Sequence, residues 1–164
     1  MPLPERKLHR LSSWDYHQNG YYHITICTHQ KRKLLSTIHQ SGTDCIATPT
    51  ALGEMIKAHW ENMVSVSPYI KLDYYCLMPN HLHGIIVIEA PENTDHPSIS
   101  ELIRGFKSVT TRQYNKLVPP ENKNTLWQAS FYDEIIRNED MLYQIRKYIE
   151  GNPSKWLTDN MYVE

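Results

Sequence analysis

Two histidines one residue apart, in His81-Leu82-His83, open an apolar run that continues through Ile85-Ile86-Val87-Ile88. Residues two apart on a strand point to the same face, so the imidazoles would stand side by side with Leu82 turned the other way. Such a pair suits a metal ion, and it equally describes two histidines satisfied by neighbouring carbonyls at a strand end; a further ligand would separate the two cases. The second candidate is Tyr148, in Lys147-Tyr148-Ile149-Glu150-Gly151-Asn152-Pro153. The core stripe of its helix would be Leu142, Ile145 and Ile149, and at about 100° per residue Tyr148 falls roughly a quarter-turn off the centre of that stripe. A phenol at that boundary is either a rim tyrosine with a wet hydroxyl or a nucleophile. Asn152, four residues on, shares its side of the helix and offers an amide oxygen. The third candidate is a stripe in which Arg104, Lys107, Ser108, Thr111 and Asn115 recur at helical spacing with Arg112 beside them. It fits a phosphate backbone, and it also fits a solvated helix face.

The elements that would position these groups follow from periodicity and turn chemistry. Residues 1–20, with Pro2, Pro4 and Gly20, read as an N-terminal arm, and 21–164 as a single domain. Residues 21–28 form a strand with Tyr22, Ile24 and Ile26 on one face. A polar connection covers 31–48. Leu52, Met55, Ile56, Trp60 and Met63 then mark an amphipathic helix of about four turns, ended by Ser67-Pro68. Strands at 69–77 and 81–89 flank the turn Met78-Pro79-Asn80, the second being apolar on both faces and therefore central. Ser98 or Ser100 caps a long helix with the stripe Leu102, Ile103, Phe106, Val109, Gln113 and Leu117. Strand character resumes over 126–136, and Asn138 caps a last helix closed by Gly151 and Pro153. The order is βαββαβ plus a helix: an α+β, ferredoxin-like antiparallel sheet with an added C-terminal helix carrying Tyr148.

With 164 residues, 40% hydrophobic, and 17 basic against 18 acidic side chains, the chain has the composition of one soluble domain. Its net charge of -1 excludes a protein that coats DNA through a general excess of cations, so a nucleic-acid site has to be local. Cys27, Cys45 and Cys76 form neither a disulfide framework nor a zinc ribbon and are expected to be reduced. No apolar segment has the length of a bilayer span, and a cytoplasmic, nucleoid-associated protein is expected, with no membrane partner.

The three candidates lie within a longer pattern. The runs Tyr75-Cys76-Leu77-Met78-Pro79-Asn80-His81-Leu82-His83-Gly84, Leu102-Ile103-Arg104-Gly105-Phe106-Lys107-Ser108, Trp127-Gln128-Ala129-Ser130-Phe131-Tyr132-Asp133-Glu134 and Tyr148-Ile149-Glu150-Gly151-Asn152-Pro153 resemble the REP-associated tyrosine transposases. These belong to the single-tyrosine HUH (His-hydrophobic-His), IS200-like superfamily. The likeness extends from Trp14 to Trp156. It implies an enzyme that binds single-stranded hairpin DNA at repetitive palindromic elements, then cuts and rejoins it through a 5′-phosphotyrosine. By position it implies His81, His83 and Asn152 as metal ligands, Tyr148 as nucleophile, and Arg104, Lys107, Ser108, Thr111 and Arg112 as DNA contacts. Two imidazoles with an amide oxygen suit Mn²⁺ and admit Mg²⁺ with waters completing the octahedron. The protein would act as a monomer or homodimer.

Three other readings compete. A replication-initiator or relaxase-type HUH nickase would bring a helicase segment or a second closely spaced catalytic tyrosine, and neither is evident. A domesticated, non-cutting hairpin binder would keep the basic stripe and lose the site, whereas both histidines and Tyr148 are present. An RRM-like single-strand binder would place aromatics where His81 and His83 stand.

Overall fold

The computed structural model describes residues 13–159 apart from 124, together with 162. Its main sheet has four antiparallel strands in the order β4-β5-β1-β6: β1 (Gly20–Cys27), β4 (Ile70–Leu77), β5 (His81–Ile88) and β6 (Tyr132–Ile136). Helix α1 (Ala51–Glu61) links β1 to β4 and helix α2 (Ile99–Leu117) links β5 to β6, giving the expected βαββαβ order, after which comes α3 (Glu139–Gly151).

Strand alternation divides the sheet into two unlike faces. Tyr22, Ile24 and Ile26 of β1 and Leu82, Ile86 and Ile88 of β5 join Ile56 and Trp60 of α1 and Phe106 of α2 in the main core. The opposite face holds a thin cluster, in which Ile85, Val87 and Ile136 meet Ile145 and Ile149 of α3. Strand β5 is buried along its whole length, as its apolar run predicts. Gly84 lets it approach α1: a Cβ there would stand 2.3 Å from Trp60 Cζ2.

Local chemistry explains the helix ends. Thr50 Oγ1 accepts from the Gly53 N–H at 3.0 Å, and Ser98 forms a reciprocal capping box with Glu101. Asn138 Oδ1 accepts from the Met141 N–H at 2.8 Å. Of the expected arm, the first twelve residues lie outside the described residues. Beyond them, Trp14 Nε1 donates to the Tyr22 hydroxyl at 3.3 Å, and Tyr16 O accepts from the Ile99 N–H at 3.3 Å.

Three expectations need correction. The polar connection at 31–48 contains a two-stranded hairpin, β2 (Ser36–Ser41) and β3 (Asp44–Pro49), which turns at Gly42 with φ +63°. It gave no apolar alternation because its side chains are largely solvated, with Ile46 51% exposed. The strand expected over 126–136 is confined to Tyr132–Ile136, preceded by an isolated bridge between Thr28 and Trp127. Between them the Gln128 and Ser130 carbonyls turn away and accept from Lys107 Nζ at 2.8 and 2.9 Å. Finally, α2 buries Thr110 and Tyr114, while Leu117 is 67% exposed. Both polar side chains are satisfied inside: Thr110 Oγ1 accepts from Trp127 Nε1 at 2.8 Å, and the Tyr114 hydroxyl accepts from Arg32 at 3.3 Å.

The close packing of β5 on α1 gives a direct test. Gly84→Ala should cost about 1–3 kcal/mol, because a fully buried Trp60 must shift. Urea denaturation measures it, and an unchanged midpoint would show that the Trp60 ring yields freely.

Candidate active site on the α3 face

His81 and His83 emerge from β5 on the α3 face, their ring centroids 4.5 Å apart. His81 is fully buried and His83 nearly so. Each ring is held by its Nδ1. For His81 the partner is Asn80 Oδ1 at 2.7 Å; the Asn80 amide group donates to Lys31 O, so Oδ1 accepts the imidazole proton. For His83 the partner is Thr25 Oγ1 at 2.8 Å, across the register pair Thr25↔His83. With Nδ1 as donor, the His81 ring carries its lone pair on Nε2, the tautomer a metal requires, and the Thr25 hydroxyl can accept from His83 Nδ1 to match the same tautomer there. Burial holds both imidazoles neutral: the His81 pKa falls to about 4, and that of His83 drops well below 6.5, depressed further by His81 and His23.

Helix α3 brings Tyr148 over this pair. Its ring is 5.2 Å from that of His83 by centroids, and its hydroxyl lies 3.5 Å from His83 Nε2. Tyr148 is 41% exposed, at the expected boundary of the buried stripe. Partial burial and the Asp159 carboxylate raise its pKa above the ordinary 10, and the Asn152 side chain beside it pulls the other way. Asn152 is buried at the end of α3. Gly151 stays helical, so the turn continues through Asn152, which keeps αR backbone angles before Pro153 begins a 3₁₀ segment.

The donor set fits a divalent cation. His81 Nε2 is buried without a hydrogen-bond partner, and Asp159 Oδ2 lies 3.8 Å from it; Asn152 could ligate only through its amide oxygen. One ligand atom from each of His81, His83 and Asp159 falls within 4.8 Å of the others. A carboxylate adds the hard oxygen that Mg²⁺ and Mn²⁺ favour. Sequence reasoning missed Asp159, which follows the last helix and has no spacing relation to the histidines. It also missed His23, which precedes Thr25 by two on β1 and therefore shares its face. His23 stacks on His83 with centroids 5.5 Å apart, and burial lowers its pKa to about 4. His23 and His83 border a cleft of about 620 Å³ whose walls include Thr25, Tyr132, Glu134 and Tyr148.

The cationic stripe is divided. Ser108, Thr111, Arg112 and Asn115, with Lys116 and Lys123, line a shallow groove along α2. Lys107 reaches that groove too, but its ammonium is engaged by the Gln128 and Ser130 carbonyls and sits over the Phe131 ring, and burial lowers its pKa to about 8. Arg104 is exposed one turn earlier. Among the described residues no helix is long and apolar enough to cross a membrane.

Residues 16–152 match the model of the family described as "Transposase IS200 like", and the chain belongs to that family. An uncharacterised protein of Haemophilus influenzae is 31% identical over 179 residues, covering 99% of this chain and 96% of its own. A second protein of that organism, described as a candidate REP-associated tyrosine transposase, is 33% identical over 87 residues, 49% of this chain and 47% of its own. The fold resembles a REP-associated tyrosine transposase solved bound to a REP hairpin, with a TM-score of 0.63 at 20% identity over 89% of this chain and 74% of that one. A transposase candidate from Deinococcus radiodurans aligns with a TM-score of 0.52 at 16% identity, covering 86% and 95%.

The neutral buried histidines make stability depend on pH. Because the folded pKa of His23 lies near 4, below 6.5, the unfolded chain binds more protons between those values. Stability is therefore complete above pH 6.5 and is lost as pH falls through that window. In EDTA, His23 alone should remove about 2 kcal/mol between pH 7 and pH 5. His23→Phe should flatten the urea-denaturation profile by that amount; parallel profiles would contradict the assignment.

Proposed function

We propose that this transposase binds single-stranded DNA folded into a hairpin and cuts and rejoins it through a 5′-phosphotyrosine at Tyr148. The observation that carries the reading is the Tyr148 hydroxyl, 3.5 Å from Nε2 of His83. Hairpin DNA is the ligand named for the solved relative, and it is extended here to this chain. The α2 groove, with Arg112, Thr111 and Ser108, would take the phosphate backbone, and Arg104 would extend that path. Lys107 would act by holding the 128–130 segment that joins this groove to the cleft.

In the reaction, Tyr148 Oη forms a bond to phosphorus while the bond from phosphorus to the 3′ oxygen breaks. The phenol proton leaves to solvent at the exposed side of the ring, and the departing oxygen gains one to become a 3′-hydroxyl. One phosphoester replaces another, so a second 3′-hydroxyl can reverse the step without an external energy source. His81, His83 and Asn152 would hold a divalent cation, Mg²⁺ or Mn²⁺, with Asp159 as the nearest carboxylate. Such a cation supplies positive charge for the phosphodiester and for the departing oxygen. The rings are pre-set by Asn80 and Thr25, so the chain's part is alignment: α3 fixes where Oη stands relative to the histidine pair.

The test uses a labelled single-stranded hairpin with Mn²⁺. The parent should give a covalent protein–DNA band and a cut strand. Tyr148→Phe, which keeps the ring and loses only the hydroxyl, should bind the hairpin within about threefold of the parent and give neither product. Cutting by Tyr148→Phe at the parent rate would overturn the proposal.

A further inference from the structure

The cleft beside Tyr148 contains more recognition chemistry than phosphoryl transfer requires. His23 is buried, its side chain 7% exposed, yet neither ring nitrogen has a hydrogen-bond partner. An imidazole buried in that state carries an uncompensated desolvation cost. Rings surround it on the cleft side: Tyr132 and Tyr148 stand edge-on at 6.4 and 6.1 Å between centroids. Phe131 contributes a third ring to the wall, anchored beneath the Lys107 ammonium. Glu134 projects its carboxylate to 3.7 Å from His23 Nδ1 and is 40% exposed. Gln144 of α3 also lines the cleft. The volume, about 620 Å³, falls in the range of small-molecule pockets.

The geometry points to a nucleobase pocket: the cleft bounded by His23, Phe131, Tyr132 and Glu134 receives one unstacked base of the single strand next to the phosphate presented to Tyr148. This inference rests on the proposed hairpin substrate and adds a base-reading site to it. Aromatic faces are what a splayed base stacks on, and every base has such a face. The Glu134 carboxylate only accepts hydrogen bonds, so it favours bases bearing an exocyclic amino group (adenine, cytosine or guanine) over thymine. His23 lines the same cleft, with Nδ1 3.7 Å from the Glu134 carboxylate, so one ring nitrogen adds to the polar side of the pocket. Seating the base beside the nucleophile fixes the adjacent phosphate against Oη, so the pocket would choose the scissile position.

Equilibrium binding in EDTA tests this without any dependence on cutting. Hairpins with a single-stranded tail carry an abasic site at each tail position in turn, and affinity is read by fluorescence anisotropy. One position should lose about 10-fold in affinity for the parent, and thymine there should bind more weakly than the other three bases. His23→Phe should reduce the abasic penalty at that position to under about threefold. Glu134→Gln, at a partly exposed side chain that leaves the core intact, should abolish the discrimination against thymine. A flat abasic profile, or a position-specific loss unchanged in both variants, would overturn the pocket while leaving hairpin recognition in place. No measurable affinity for any hairpin would overturn the proposed function and the pocket with it.

Discussion

Strand β5 is the constraint on which the rest depends. Both of its edges are hydrogen-bonded, to β4 and to β1, and both of its faces are covered. A one-residue slip would carry His81 and His83 into the main core and Leu82 and Gly84 onto the α3 face, so burial fixes the register as strictly as hydrogen bonding does. The histidines are therefore placed by the packing of their apolar neighbours. Leu82 and Ile86 anchor one face, Ile85 and Val87 the other, and Gly84 admits the Trp60 ring.

The two faces do different work because they are covered differently. On one, α1 and α2 bury a large apolar cluster that supplies most of the stability. On the other, α3 rests on a small cluster and leaves the sheet open beside it, which is where Tyr148, His23 and the cleft lie. One further interaction holds α3 in place: Arg146 donates from Nε and Nη2 to the two Asp73 carboxylate oxygens at 2.9 and 2.6 Å, at the point where the β4 register shifts. Such a bidentate pair gives orientation as well as energy. It lies within one helical turn of Tyr148 and ties that part of α3 to β4 at the edge of the sheet.

Much of this was legible in the sequence where period and punctuation agreed. Tyr22, Ile24 and Ile26 announced β1, the continuous run after His83 announced a strand covered on both faces, and Asn138 and Ser98 announced helix starts. The hairpin β2–β3 was silent because it buries little and packs instead against the segment after α3, where the Cys45 N–H donates to Ser154 Oγ at 3.1 Å. The first half of the buried stripe of α2, Leu102, Ile103 and Phe106, lay where its period put it; the second half was misplaced because Thr110 and Tyr114 are polar by type and buried by partnership, which composition does not reveal. For the candidate site, His81, His83, Tyr148 and Asn152 were visible by spacing within one element each. Asp159 and His23 were not, since only the folded topology brings them to the pair.

Packing around β5 presents two neutral, buried imidazoles side by side, which we propose as ligands of a divalent cation. Calorimetric titration of the DNA-free protein with Mn²⁺ at pH 7 tests it most directly. The account predicts one Mn²⁺ per chain, weakened at least about tenfold in His83→Gln and again in His81→Gln, with the folded state intact by circular dichroism. Mn²⁺ affinity unchanged by both substitutions would contradict it.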